Sequence, residues 1–128
     1  MTNTAIVQDL YAAFRRGDIP AILAQLDENV SWEAEGPSQL AHTGIRKGPK
    51  EVVGFFEGLA KDHAEPELVI SEVLADGDAV ATFGRYGGVM RTSGKRFSVP
   101  IGHLWKLRNG KIVRYVGLVD TGTMLAAM

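Results

Sequence analysis

The chain has 128 residues, 45% of them hydrophobic and 23% charged, and its net charge is −1. One domain, residues 1–128, with an ordinary core is the expectation, and binding to nucleic acid or anionic membrane through a basic field is disfavoured. There is no cysteine, so disulfides, thiol nucleophiles and thiolate metal sites are excluded. The opening MTNTAIVQDL lacks the basic start and apolar run of a signal peptide, and no stretch has the length of a membrane span. A cytoplasmic location is therefore expected.

Ile6, Leu10 and Phe14 recur every four residues, with Val7 and Tyr11 beside them. This predicts a helix from about Asn3 to Arg16, capped by Asn3 or Thr4 and ended at Gly17. Asp18 caps a second short helix. Pro20 sits in its first turn, and Ile22, Leu23 and Leu26 form its buried side. Val30 to Glu35 alternates as a short strand, with Glu33 and Glu35 expected to face away from the interior. Gly36 to Lys47 reads as a polar loop containing His42. Gly48-Pro49 opens a third helix, whose apolar side is Val52, Phe55, Phe56 and Leu59, and Lys61-Asp62-His63 closes it.

The pattern then changes to strands: Leu68–Ala75, Ala79 to about Arg91, Val99–Leu107 and Lys111–Asp120. The turns Asp76-Gly77, Ser93-Gly94 and Asn109-Gly110 make each antiparallel to the one before. Pro100 requires an edge or a bulge, because it cannot donate to a ladder. Seven glycines (Gly84, Gly87, Gly88, Gly94, Gly102, Gly110 and Gly117) fall in this half, as a strongly curved sheet or one lining a space needs. The apolar tail from Thr121 to Met128 is expected to fold back over the domain. Helices followed by a meander give an α+β class.

The order of elements, with LYAAFRRGDIPAILAQLDENVSWEAEGP, TGIRKGPKEVVGFFEGL, DGDAVATFGRY and HLWKLRNGKIVRYVGLVD, resembles the SnoaL-like branch of the NTF2-like, ketosteroid isomerase-like superfamily. The resemblance implies a cone-shaped fold with three N-terminal helices packed on a curved, mainly antiparallel sheet. It also implies an apolar cavity and a homodimer formed through the outer face of the sheet. Members of the family range from steroid isomerases and polyketide cyclases to epoxide hydrolases, dehydratases and non-catalytic binding domains, so the fold does not choose the function.

Carried over position by position, the family's usual catalytic groups are missing. The isomerase base falls on Ala34. The helix tyrosine of its oxyanion hole falls on Leu10, and the aspartate of that hole falls on Gly102. The acid of the cyclases' last strand falls on Gly117, although Asp120 follows it. Projecting the family's inward positions places Trp32, Ala34, Phe83, Arg85, Gly102, Leu104, Tyr115, Gly117 and Val119 on the cavity. Register is the open issue near Gly84–Gly88 and Pro100.

Several polar residues carry candidate roles. Arg85 either anchors a carboxylate or enolate oxygen or makes an ion pair on the outer face. Tyr115 either donates to a ligand carbonyl or belongs to the core. His42 is a candidate base at the cavity rim, against a solvated loop histidine. Asp120 is a candidate acid or base, or the cap of the tail. His103 is expected on the outer side with Trp105, and His63 at a helix end. Trp32 and Phe83 read as pocket wall or core, and Gly102 and Gly117 as missing side chains that leave room for a ligand.

Three scattered histidines form no metal site. The expected function is binding of a small, largely apolar molecule, with cofactor-independent acid–base chemistry of isomerase, cyclase or hydrolase type if the protein is an enzyme. The alternative is a non-catalytic carrier or a dimerisation domain.

Overall fold

The computed structural model describes Met1–Met128. Helix α1 (Asn3–Arg15) is capped by Thr2, whose hydroxyl accepts the Ala5 N–H at 3.0 Å. Gly17 ends it with φ +74°, a conformation that suits glycine. Asp18 caps α2 (Ile19–Ala24), and α3 spans Gly48–Asp62. Six strands follow the helices or lie between them: β1 (Leu26–Ala34), β2 (Gly44–Lys47), β3 (His63–Asp76), β4 (Ala79–Met90), β5 (Arg96–Arg108) and β6 (Lys111–Val119). A fourth helix, α4 (Thr121–Ala127), closes the chain. No helix is long and apolar enough to cross a membrane.

The strands form one sheet in the order β2-β1-β6-β5-β4-β3. All neighbours are antiparallel except β1 and β6, which run parallel. This is the α+β architecture expected from the sequence, with two additions. The 36–47 segment is not all loop, because its last four residues form β2 at the sheet edge. The strand has no buried alternation to betray it, and Ile45 is 67% exposed. The tail does fold back, as α4, and Met124 is fully buried. Pro100 is tolerated because the β5–β6 ladder ends at Ile101–Val119, leaving Pro100 at an open edge.

One irregularity decides which side chains face inward. Asn109 and Gly110 both have positive φ, 51° and 76°, the backbone of a two-residue hairpin turn. From that turn Arg108 pairs with Lys111 and Leu107 with Ile112, but Lys106 pairs with Arg114. Val113 is therefore an extra residue, a β-bulge. An unbroken ladder would set Gly102 opposite Gly117. Instead His103 lies opposite Gly117, and Gly102 opposite Leu118. Because directly opposed residues share a face, the bulge reverses the faces of β5 relative to β6. Strand β4 follows β5, with Phe83 beside Gly102 and Thr82 beside His103.

Candidate functional site

The inner face of the sheet and the helices enclose a cavity lined by 20 residues, 16 of them hydrophobic. Its volume is about 80 Å³. Trp32, Tyr115, Phe55 and Phe56 form much of its apolar wall, with Trp32 stacked on Tyr115 at 4.1 Å between centroids. Glu35 is the one carboxylate in the wall, and no lysine or arginine lines it.

Tyr11 on α1 is the hub of the polar side. Its hydroxyl lies 2.6 Å from Thr82 Oγ1 and 2.6 Å from His103 Nδ1, and it accepts from Trp105 Nε1 at 3.0 Å. Counting protons orders this network. Trp105 can only donate, and Thr82 Oγ1 has no other side-chain hydrogen bond, so both donate to the Tyr11 oxygen. The Tyr11 proton then goes to His103 Nδ1. That assigns the His103 proton to Nε2, on the far side of the ring. Burial holds the His103 pKa down at about 4 and pushes Tyr11 up to about 12. His103 is thus a neutral ring offering an N–H donor. Neither His103 Nε2 nor the Tyr115 hydroxyl has a partner in the chain, and their rings lie 5.2 Å apart. Burial raises the Tyr115 pKa, so this residue is a phenol rather than a phenolate.

A second polar group lies elsewhere on the cavity. His42 lines it and is only 4% exposed. The His42 loop packs tightly on α3, since a Cβ on Gly58 would meet the Ala41 carbonyl oxygen at 2.5 Å. Behind His42, His63 Nδ1 lies 2.7 Å from the Tyr86 hydroxyl. His42 Nδ1 and His63 Nε2 are buried without partners, and the two rings are 6.2 Å apart. Burial lowers the His42 pKa to about 4, with the neighbouring His63 adding to the effect.

Several sequence expectations are corrected by this geometry. Arg85 is exposed on the outer face, where Nε donates to Ser98 Oγ at 3.0 Å and Nη2 to the Ser98 carbonyl at 2.9 Å. Phe83, Gly102 and Leu104 also lie on the outer face, moved there by the Val113 bulge. Gly102 leaves no room for a ligand: a Cβ there would meet the Phe83 ring at 3.2 Å.

Gly117 does line the cavity, but its missing side chain makes way for the Tyr115 hydroxyl, which a Cβ would overlap. Asp120 does not line the cavity. It is the exposed cap of α4, accepting the Thr123 N–H at 3.1 Å and the Thr123 hydroxyl at 2.7 Å, and these bonds lower its pKa. His103 and Trp105 face inward, not outward, and Glu35 lines the mouth while Glu33 pairs with Arg114 at 3.4 Å outside. Trp32, Ala34, Tyr115 and Val119 lie on the cavity as projected, and His42, left between the cavity rim and solvent by the sequence, lines it too. Tyr11, read only as part of a helix's apolar face, and Tyr86, given no role, were not singled out by the sequence.

Comparison with known proteins gives a consistent picture. The profile of the SnoaL-like domain matches residues 7–115. No curated protein matches. Among solved structures, the chain is similar to an NTF2-like protein of unknown function from Burkholderia pseudomallei, at 28% identity and TM-score 0.92 over 99% of this chain and 98% of that one. It is also similar to a putative polyketide cyclase from Xanthomonas campestris, at 26% identity and TM-score 0.82 over 97% and 94%. A third is TerC co-crystallised with polyporic acid, at 25% identity and TM-score 0.86 over 96% and 95%.

Proposed function

The chain belongs to the SnoaL-like domain family, and we propose that it binds a small, largely apolar molecule by a carbonyl oxygen inside the cavity. One observation carries this reading. Two neighbouring rings, His103 and Tyr115, bring hydrogen-bond donors without partners to a largely apolar wall. Unpaired donors in such a place favour an acceptor oxygen and gain strength from the low dielectric around them. The likeness to TerC, co-crystallised with polyporic acid, supports small-molecule binding by this fold.

The reaction this arrangement supports is cofactor-independent proton transfer beside the bound carbonyl. Glu35 takes a proton from the carbon next to the carbonyl. The C–H electron pair becomes the C=C bond of an enolate, and the carbonyl π pair moves onto the oxygen held by His103 and Tyr115. Return of the proton to another carbon would complete an isomerisation. The histidines are poor bases for this step, because burial keeps His42 and His103 neutral down to about pH 4.

The test is exchange of the α-hydrogens of cyclohexanone in D2O, followed by proton NMR. Exchange faster than in buffer, falling to the buffer rate in Glu35→Gln, is expected. An unaccelerated rate in the wild-type protein would withdraw the catalytic half. It would leave the non-catalytic carrier, a reading that Ala34 and Gly117 favour because the family's usual acids are missing there.

Residues 1–128 are proposed as a single SnoaL-like domain that pairs with a second copy through the outer sheet face. Phe83 and Leu118 flank Gly102 in one row of that face and are 48% and 55% exposed. Leu104 and Val116 form the next row.

A further inference from the structure

Polar groups reach the cavity from two separate parts of the fold. Trp32 Nε1, His42 Nδ1 and His63 Nε2 are buried side-chain atoms without a partner. A buried polar group with no partner destabilises the fold unless something satisfies it, and these three lie on the cavity wall or directly behind it. His103 and Tyr115 belong to β5 and β6. His42 instead reaches the same cavity from the loop between β1 and β2, next to Phe55 of α3.

We propose that His42, backed by His63 and Tyr86, is a second polar pole that hydrogen-bonds the other end of the ligand. The ligand class is then an uncharged ring compound with oxygen functions at two ends. The proposal rests on the reading above, in which His103 and Tyr115 hold the first oxygen.

The backing of the pole is geometric. The Tyr86 hydroxyl and His63 Nδ1 share a hydrogen bond of 2.7 Å, which fixes the His63 ring beside His42, at 6.2 Å between centroids. His42 Nδ1 is buried and has no partner, so Nε2 is the nitrogen left to meet a ligand, as a donor like His103 Nε2 at the first pole. The absence of lysine and arginine from the wall, with Glu35 at the mouth, disfavours an anionic ligand, whose desolvation nothing would repay.

The experiment uses the protein's own fluorescence. The chain has two tryptophans, Trp32 and Trp105, and both line the cavity. Titrations would compare cyclohexane-1,4-dione, cyclohexanone and cyclohexanecarboxylate. The dione should bind about tenfold tighter than cyclohexanone, the effect of one further good hydrogen bond, and the carboxylate weakest of the three. In His42→Phe the dione-to-ketone ratio should fall to near one, and in His42→Gln, which keeps a donor, part of the ratio should return. If the wild-type protein binds dione and ketone equally, the second pole is wrong and the first reading stands. If the carboxylate binds tightest, the uncharged ligand class is wrong. If none of the three binds, both readings fall. The comparison on the wild-type protein decides the matter even where a His42 variant does not fold.

Discussion

Removing one oxygen atom, by Tyr11→Phe, tests the polar hub most sharply. The substitution keeps the ring, which meets the Trp105 ring edge-on at 5.7 Å. It takes away the partner of Trp105 Nε1, Thr82 Oγ1 and His103 Nδ1 together. Trp105 and Thr82 are buried, at 4% and 0% exposure, so their groups lose a partner that bulk solvent does not replace. At about 1–3 kcal/mol for each buried group left unsatisfied, the pair costs roughly 2–6 kcal/mol. Because Tyr11 itself lines the cavity, water can enter and recover part of this, so the expected loss is about 3 kcal/mol.

For a domain of this size that loss lowers the melting temperature by about 10 °C. Urea unfolding should show a reduced midpoint with an unchanged slope. Thr82→Val removes a single donor, strands no other donor and should cost only about 1 kcal/mol. The imidazole 15N shifts of His103 should report the Nε2–H form in the wild-type protein and a mixture of tautomers in Tyr11→Phe. A Tyr11→Phe loss below about 1 kcal/mol, with the His103 tautomer unchanged, would refute the hub.

Three further predictions test the rest of the site. Gly117→Ala sets a Cβ against the Tyr115 hydroxyl and should cost about 2 kcal/mol by overpacking, whereas Gly102→Ala presses only on the half-exposed Phe83 ring and should cost less than 1 kcal/mol. Equal costs in urea unfolding would contradict the Val113 bulge. Stability should fall on acidification between pH 6.5 and about 4. The folded-state pKa of His42 and of His103 lies near 4, below the ordinary 6.5, so in that window the unfolded chain binds more protons. Each histidine then withdraws about 3 kcal/mol by pH 4. Unfolding free energies that stay level from pH 7 to pH 4.5 would mean these rings are not buried as described. Leu118→Glu puts a charge in the apolar outer row and should turn a dimer into monomer in sedimentation velocity, and a wild-type protein that is itself monomeric would remove the proposed interface.

Most of the architecture was legible in the sequence because it rests on local signals. The helix faces and the Asn109-Gly110 hairpin follow from periodicity and turn chemistry, and the inward set Trp32, Tyr115, Gly117 and Val119 came from the family resemblance. The faces of β4 and β5 were not legible, because one unpaired residue sets them. Ile112 and Val113 are both β-branched and apolar, and neither reads as the bulged residue. The consequence was large: Arg85, Phe83, Gly102 and Leu104 exchanged places with His103, Thr82 and Trp105.

Tyr11 stayed hidden for a different reason. Its partners lie 71 or more residues away, and within its helix it is one more apolar-face residue. His42 sits among turn-forming residues and reads as a rim or solvated residue, not a buried one. It is buried because Leu40, fully buried itself, anchors the loop and Gly58 lets it approach α3.

The central claim is that His103 and Tyr115 together hold a ligand oxygen. A crystal structure of the protein soaked with cyclohexanone tests it most directly. The ketone oxygen should lie within hydrogen-bond distance, about 2.7–3.2 Å, of both His103 Nε2 and the Tyr115 hydroxyl, with the ring against Trp32. A ketone bound in the cavity with its oxygen turned away from both groups would contradict the account.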